Sequence, residues 1–580
     1  VKFIFSDSLP AEFQGYYFNY ANQDLKKAHY LNAKAFILKN QNALLADVEK
    51  WHSTLALVGI KKVKNWWITP ASRLLSWSPP IYRPLLFAVA IKEILKDIQS
   101  DVVYVLNAPR ELRDYLKEFF PGALTEERVL LPAPLSISFS KEHVRPYLGF
   151  LRNHLSGIKQ KNKLPEKKSY KLLVFSQVLN AQNNMRPHDH FYGDALFSLD
   201  QKKSEDIFWL YYYPENHHDI KRKIFDVFKS RHISLSFTQD YLNLFDIFKI
   251  ILKSLVHKFQ MGHLANKIPV MKILGYESHS FLKDYDHAIL SQGQSIIAEL
   301  EVACAMKKIT EKYSFEKIIY PYEEKSIERA LIKFASPQTK TLGFVHAAMH
   351  QGHICFDLKS IPGANPPRPN EILVTGEAPK NWFMKKGYSS NAIHTLGSPR
   401  AEASFSAKTF PKKELKILII ISQPHELNAL AEIIEENPSS VSHHHFTVRK
   451  YPYGGLDEQN KGFKRLAQVL SKLKDEGGNL AQQVAAHDVV LFSTSSGGIE
   501  AIFHGALGLY ASLDEVFILN PLEVLQTQDV IPQAFSIQDL NFWLQKYASL
   551  DQQSFETLQK NQVKIASEIY QKTNVEYLFS

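Results

Sequence analysis

The chain has 580 residues, 69 Lys and Arg against 59 Asp and Glu for a net charge of +10, and 45% hydrophobic, 22% charged and 12% aromatic residues. At roughly 100–200 residues per domain this length supports about two to four domains with cores of their own, which excludes a small secreted scaffold and a disordered tail protein. Two cysteines, Cys304 and Cys355, are too few for a disulfide framework or a cysteine-based zinc site, and they point to a reducing, cytoplasmic setting. The positive balance, with 23 histidines to add to it at mildly acidic pH, favours anionic partners without choosing among nucleotides, phospholipid head groups and nucleic acid.

Val1 to Asp7 carries a short apolar run without the uncharged core and small-residue cleavage site of a signal peptide, and reads as a first strand. Ala33–Leu38 and Val102–Leu106 read as further strands, each followed by helical spacing over Asn42–Trp51 and Arg110–Phe119. Residues 1–155 are therefore expected to form an N-terminal α/β domain. The longest apolar stretches, Pro84–Ile91 and Ile247–Leu252, fall short of the ~20 residues that cross a bilayer. Residues 156–170 are lysine-rich and aperiodic, which predicts a linker.

Strands are predicted at Lys171–Ser176, Ile207–Tyr213, Lys317–Tyr320 and Thr341–His346, giving a second α/β domain over 171–404. Alanine, serine, lysine and proline interrupt the apolar rhythm over Arg400–Glu414, and a third unit over 405–580 follows. Its strands are Leu415–Ile421, Phe446–Arg449 and Val489–Ser493, alternating with helices at Glu426–Glu436, Phe463–Lys474 and Gly498–Gly505. Strands separated by helices predict parallel pairing and doubly wound sheets.

Several stretches carry candidate chemistry. Asp189 lies in a polar, ring-rich loop placed at a sheet edge, suited to a catalytic base; zinc from His188, Asp189 and His190 is disfavoured because adjacent residues point apart. Residues 241–259 form a strongly apolar helix interspersed with Lys249, Lys253, His257 and Lys258, which reads either as a membrane-surface helix or as a core helix with lysines at its rim. Asp284-Tyr-Asp286 has the DxD spacing of some metal-binding sugar transferases, but follows no strand and reads as surface. Glu323 and Glu324 stand where a strand gives way to a helix, and His346 closes the next strand, so carboxylates and an imidazole meet at the rim where parallel sheets bind ligands; a helix start favoured by its dipole is the plainer reading. Ser442-His-His-His445 reads as a solvated loop.

The most informative stretch is Val489-Val-Leu-Phe-Ser-Thr-Ser-Ser-Gly-Gly-Ile-Glu500, a strand that ends in hydroxyls and glycines and enters a helix directly. Backbone N–H groups at that helix start, with the Ser495 and Ser496 hydroxyls, suit a phosphate; a capped helix without ligand is the alternative. It has neither the lysine of a Walker loop nor the dinucleotide fingerprint.

Together with Tyr322-Glu323, Ile327-Glu-Arg-Ala-Leu331, Gly343-Phe-Val-His346, Ile372-Leu-Val-Thr-Gly376, Leu396-Gly-Ser-Pro-Arg400 and Phe446-Thr-Val-Arg-Lys-Tyr-Pro452, this stretch resembles bacterial surface-carbohydrate glycosyltransferases of the GT-B fold over roughly residues 170–525. The Ser-Ser turn is similar to that of transferases using CMP-linked sialic acid, Kdo and related acidic sugars. The resemblance implies two Rossmann-like doubly wound domains with a cleft between them, beside the N-terminal α/β domain, and no metal or other cofactor. It also implies a nucleotide-sugar donor, with CMP as the nucleotide. Ser495 and Ser496, with Thr494 and Gly497, would hold the donor phosphate; Glu500 would face the ribose or base, and Arg400 would reach the cleft. The base would be an acidic residue of the N-terminal half, for which Asp189, Glu323 and Glu324 are all open.

Relatives carry His-Pro where this chain has Tyr451-Pro452. Arg449 and Lys450 then neutralise the leaving phosphate, or the donor differs, or the chain is inactive. The acceptor implied is a cell-envelope glycan or glycolipid at the inner face of the cytoplasmic membrane, with peripheral membrane contact as one reading. UDP- or GDP-sugar transfer, epimerisation and a non-catalytic assembly scaffold are the alternatives; nucleic-acid binding is disfavoured for want of a recognition motif.

Overall fold

The computed structural model describes residues 2–6, 16–19, 29–62, 79–98, 102–106, 108–127, 147–154, 164–178, 189, 191–193, 195–213, 218–265, 270–279, 281, 296–350, 353–356, 366–399, 401, 413–421, 424–449, 461–470, 473–476, 480–513, 520–522, 524–525 and 530–580. Arg400, Lys450, Tyr451, His188, His190 and the Asp284/Asp286 pair lie outside the described residues.

Three parallel sheets follow one another along the chain. The first contains β1 (Lys2–Ser6), β2 (Tyr16–Asn19), β3 (His29–Tyr30), β4 (Val102–Leu106) and β5 (Leu124–Glu127) in the order β3-β2-β4-β1-β5. Helices Gln41–Lys62, Pro79–Ile94 and Arg110–Phe119 supply its cover. A hairpin of β9 (Met271–Ile273) and β10 (Tyr276–Ser278) joins that core from far along the chain, with Met271, Ile273 and Phe281 buried among its side chains.

The second sheet contains β6 (Ser169–Gln177), β7 (Ile207–Tyr212), β8 (Ser234–Phe237), β11 (Ser314–Pro321), β12 (Lys340–Val345), β13 (Glu371–Val374) and β14 (Ile393–Thr395), ordered β14-β13-β12-β11-β6-β7-β8. The third contains β15 (Lys416–Ile420), β16 (His445–Arg449), β17 (Leu473–Glu476), β18 (Val489–Phe492), β19 (Leu507–Ala511) and β20 (Gln533–Ala534), ordered β17-β16-β15-β18-β19-β20. Numbered within its own unit, the third sheet runs 3-2-1-4-5-6 and the second repeats that order with one strand added, which is the doubly wound Rossmann arrangement. Two Rossmann-like units and an N-terminal α/β unit are thus the fold class that the strand and helix alternation anticipates. Interior strands such as β18, buried along its whole length, are apolar on both faces because helices cover both sides.

The strand order reverses between β6 and β11 in the second sheet and between β15 and β18 in the third. At these switch points the flanking helices diverge to opposite faces and leave a crevice at the strands' C-terminal ends.

Some local expectations fail for identifiable reasons. Ala33–Leu38 is a helix, Ala33–Lys39, and not a strand: Asn32 caps it by accepting from the Ala35 N–H at 2.9 Å, and the buried Ala33 and Ile37 are four residues apart, a helical repeat. The helix expected at Phe463–Lys474 ends at Val469, and Leu473–Glu476 becomes edge strand β17 on β16. Strand β6 begins at Ser169, inside the stretch read as linker. His444 is buried and not in a solvated loop, with Nδ1 accepting from the Leu415 N–H at 3.3 Å, and His445 opens β16.

The last thirty residues cross between the two Rossmann-like units. Helix Gln552–Ile569 packs on helix Ser496–Phe503 of the third unit and on Glu377–Lys385 of the second. Tyr570 donates its hydroxyl to the Ser496 carbonyl at 3.4 Å, and the next residue, Gln571, donates its N–H to the Thr375 carbonyl at 2.8 Å. Gly376 permits the crossing: a Cβ there would lie 2.4 Å from the Glu568 carbonyl oxygen. Two consecutive residues therefore tie the end of β13 to the helix start after β18.

Candidate active site

The crevice of the third sheet is built around the turn after β18. Ser495 caps helix Ser496–Phe503, its hydroxyl accepting from the Gly497 N–H at 3.3 Å. The helix must lie tight against its own strand, because a Cβ on Gly498 would sit 2.1 Å from the Phe492 ring. Thr494, Ser495, Ser496 and Gly497 are half-buried, open to solvent at the positive end of the helix. From across the switch point, Glu426 on helix Pro424–Glu435 fixes the turn: its Oε1 accepts from the Thr494 hydroxyl at 2.8 Å and from the Thr494 N–H at 3.3 Å.

Arg449 ends β16 beside this turn and donates Nη1 to the Gln483 side-chain carbonyl. Burial lowers the guanidinium's pKa, and the nearby Glu500 carboxylate opposes that shift. Glu500 lies 3.9 Å from His504, whose pKa burial pushes down, and Arg449 is a cation of the crevice among the described residues. The arrangement offers oriented N–H groups, hydroxyls and a guanidinium within one crevice, the donor set of an anion site. Arg400 and Lys450 lie outside the described residues.

The second sheet gathers the other candidates. Parallel register pairs Pro321 with Phe344, and the Tyr322 N–H bonds the Phe344 carbonyl at 2.8 Å, which carries Glu323 alongside His346. Glu323 Oε1 is 3.6 Å from His346 Nε2, and its other oxygen pairs with Lys325. The Phe191 ring meets the His346 ring nearly at right angles at 4.8 Å. The His350 and His353 rings lie against each other at 3.9 Å, tilted by 45°; burial holds His353 down at about 4 and His350 well below its ordinary value.

Glu324 and Asp189 are placed differently from Glu323. Glu324 is buried at a left-handed φ of 57°, with Oε2 bonded to Arg329 at 2.5 and 3.1 Å, and Oε1 bonded to the Tyr322 hydroxyl at 2.5 Å and 3.5 Å from Arg368. Those ion pairs hold a strained turn in place. Asp189 is enclosed over the central strands rather than exposed at a sheet edge. Its Oδ2 accepts from Ser176 at 2.7 Å and Tyr211 at 2.8 Å, and its Oδ1 from the N–H groups of Phe191 at 2.8 Å and Tyr192 at 3.1 Å. Burial raises its pKa against the pull of those four donors.

Sequence reasoning singled out Glu323, His346, Arg449, Thr494, Ser495, Ser496, Gly497 and Glu500, and each stands at a strand's C-terminal end or in the helix that follows it. It missed Glu426 as the brace of the turn, Gln483 as the partner of Arg449, and the cations Arg329 and Arg368. Glu426 lies two residues after Pro424 at a helix start, a signal that marks a cap but not a contact 68 residues away. Among the described residues no group of three or more histidine, cysteine, aspartate or glutamate side chains is placed to hold a metal ion. No helix among them is long and apolar enough to cross a membrane.

No known family model and no curated protein matches the sequence. Among solved structures, the chain is similar to Anabaena HepE in complex with UDP, at 13% identity over 70% of this chain and 97% of that one with a TM-score of 0.39. It is also similar to a mutant of S. aureus TarM in complex with fondaparinux, alpha-GlcNAc-glycerol and UDP, at 11% identity over 71% and 98% with a TM-score of 0.39. The UDP-GlcNAc 2-epimerase from Neisseria meningitidis, bound to UDP-GlcNAc, gives 11% identity over 68% and 99% with a TM-score of 0.35. Likenesses this remote bear on neither donor nor reaction.

Proposed function

We propose that the chain is a metal-independent glycosyltransferase of GT-B architecture that moves an acidic sugar from a CMP donor onto a cell-envelope glycan or glycolipid. The observation that carries this reading is the turn Thr494–Gly497 at the switch point of a Rossmann-ordered sheet, braced by Glu426 and flanked by Arg449. A phosphate bound there meets backbone N–H groups, two serine hydroxyls and a guanidinium, all oriented before it arrives. The donor class rests on the likeness of the Ser-Ser turn to that of CMP-sugar transferases.

The second sheet supplies the proton chemistry. Glu323 is the carboxylate with a solvent-facing side and an imidazole within reach, so it serves as the base that takes the acceptor hydroxyl's proton while His346 orients it. Asp189 and Glu324 position the loops that carry Phe191 and Tyr322. As the glycosidic bond to the phosphate breaks, the anomeric carbon gains oxocarbenium character and the leaving phosphate gains charge. Arg449 and the helix start stabilise that charge. Tyr570 and Gln571, which touch both rims, hold the two half-sites together.

The test is release of CMP from CMP-linked sialic acid and CMP-linked Kdo in the presence of lipid-linked oligosaccharide acceptors, compared with UDP- and GDP-sugars. Acceptor-dependent release of CMP supports the reading. Turnover of a UDP- or GDP-sugar in its place overturns the donor assignment, and epimerisation without transfer overturns the reaction.

A further inference from the structure

Helix Leu244–Ala265 buries one face and leaves the opposite one uncovered. Ile247 and Ile250 pack with Leu242, Phe150 and Ile297 into a small core, and Ser254 is buried near the Tyr147 hydroxyl. The other face carries Leu244, Phe245, Phe248, Leu252, Leu255 and Val256. Six of the eleven exposed large hydrophobic residues among those described are on this one helix, with Phe245 72%, Phe248 64% and Leu252 63% exposed. At 3.6 residues per turn they span an arc of about 120° and a length of roughly 20 Å. Scattered apolar residues on a surface need no explanation, but a continuous stripe with two phenylalanines does.

Charge selects the occupant. Lys249 and Lys253 are exposed along one border of the stripe, one turn apart. Asp246, the acidic residue of this helix's first turn, is turned away and paired with Lys308 on helix Ile297–Lys312. The surface is thus apolar with a basic margin and no acid among the exposed residues 244–256. A second copy of the chain docked symmetrically here would bring like lysines together, on a protein whose net charge is already +10. An anionic bilayer has no such penalty, takes the phenyl and leucyl groups into its interfacial layer, and lets the lysine stems lie along the apolar stripe with their ammonium groups at the phosphates. Leu148 is also 60% exposed, on the neighbouring segment that packs against this helix through Phe150.

We propose that the face Leu244–Val256 is a membrane-docking surface that lays this helix into the interface of an anionic phospholipid bilayer. This is independent of the transferase reading, and neither result decides the other. The test is sedimentation of the full chain with vesicles of phosphatidylcholine alone and of phosphatidylcholine with phosphatidylglycerol, alongside light scattering of the protein without lipid. Wild type is expected to bind the anionic vesicles at least ~10-fold more tightly than the neutral ones, and added salt is expected to weaken that binding. F245S/F248S is expected to lose binding to both, because it removes the groups that insert. K249E/K253E is expected to lose the preference for anionic lipid, by about fivefold or more for each lysine reversed. All four positions are exposed, so unchanged melting temperatures confirm that the variants are folded. No sedimentation of wild type with either vesicle, or sedimentation that neither variant alters, would overturn the proposal. A dimer in solution that F245S/F248S dissolves would also overturn it, by assigning the face to a second copy of the chain.

Discussion

Glu426 and Thr494 meet across the switch point of the third sheet, the buried carboxylate accepting both the side-chain hydroxyl at 2.8 Å and the backbone N–H at 3.3 Å. The contact links the helix after β15 to the turn after β18, the two elements between which the crevice opens. Removing it frees the turn without touching the hydroxyls that face a ligand. Glu426→Ala is expected to cost about 1–2 kcal/mol of stability by removing the buried acceptor shared by the half-buried Thr494 hydroxyl and N–H. It is also expected to weaken nucleotide binding more than Glu426→Gln, which keeps a carbonyl acceptor. Urea unfolding and calorimetry on both variants check this; equal affinities would show that the turn does not depend on its brace.

Glu323 and Glu324 are adjacent in sequence and opposite in situation. Glu323→Gln is expected to lower turnover by about a hundred- to ten-thousand-fold with nucleotide affinity and melting temperature unchanged, because it removes a proton acceptor from a partly open site. Glu324→Gln is expected to lower stability by about 3–5 kcal/mol, because the buried Arg329 and the half-buried Arg368 are left beside a neutral group. Single-turnover rates and denaturant unfolding separate the two. A destabilised Glu323→Gln would move that residue into the structural class.

Glu301 gives stability a pH dependence away from the site. It is enclosed, accepts from Thr238 at 2.5 Å, lies 3.5 Å from His154, and is pushed up to about 7 by burial. A carboxyl whose folded pKa exceeds its ordinary value of 4.5 contributes its full stability below that value, and this is lost progressively as pH rises from there through about 7. The loss by pH 8 is on the order of 3 kcal/mol. Glu301→Gln is expected to flatten the profile and to be relatively more stable than wild type at pH 8 than at pH 5. Parallel profiles for the two proteins would exclude Glu301 as the source.

Gly498 is fixed by packing and not by the ligand. Gly498→Ala places a methyl 2.1 Å from the Phe492 ring carbon, where strand and helix cannot both keep their positions. A loss of about 1–3 kcal/mol is expected. Ser495→Ala, which in the unliganded protein removes the cap of helix Ser496–Phe503, is expected to cost about 1 kcal/mol of stability. Thermal melts of the two rank them, and a Gly498→Ala protein as stable as wild type would mean the helix can slide.

The alternation of strand and helix made most of the fold legible because parallel strands buried on both faces are nearly all apolar. Val102–Leu106 is found as read for that reason. Ala33–Leu38 is not, since six apolar-rich residues fit either period, and the decision lay with Asn32 and with which face met the core. Edge strand β17, Leu-Lys-Asp-Glu, has no apolar signature at all and exists through its pairing with β16. At the site, hydroxyls and glycines at a strand end announced the helix start. Charges answered by distant partners did not show: nothing near Glu324 in sequence reveals Arg368, and nothing near Asp189 reveals Tyr211. Both carboxylates therefore read as candidate bases beside Glu323, and only three-dimensional contacts distinguish them.

The measurement that tests the central claim most directly is calorimetric titration of CMP, UDP, GDP and UMP into wild type and into the Ser495→Ala/Ser496→Ala double variant. The account predicts preferential binding of CMP, weakened about tenfold or more in the double variant through loss of hydrogen bonds to a charged phosphate. Binding of no nucleotide, or CMP binding that the double variant leaves unchanged, would contradict it.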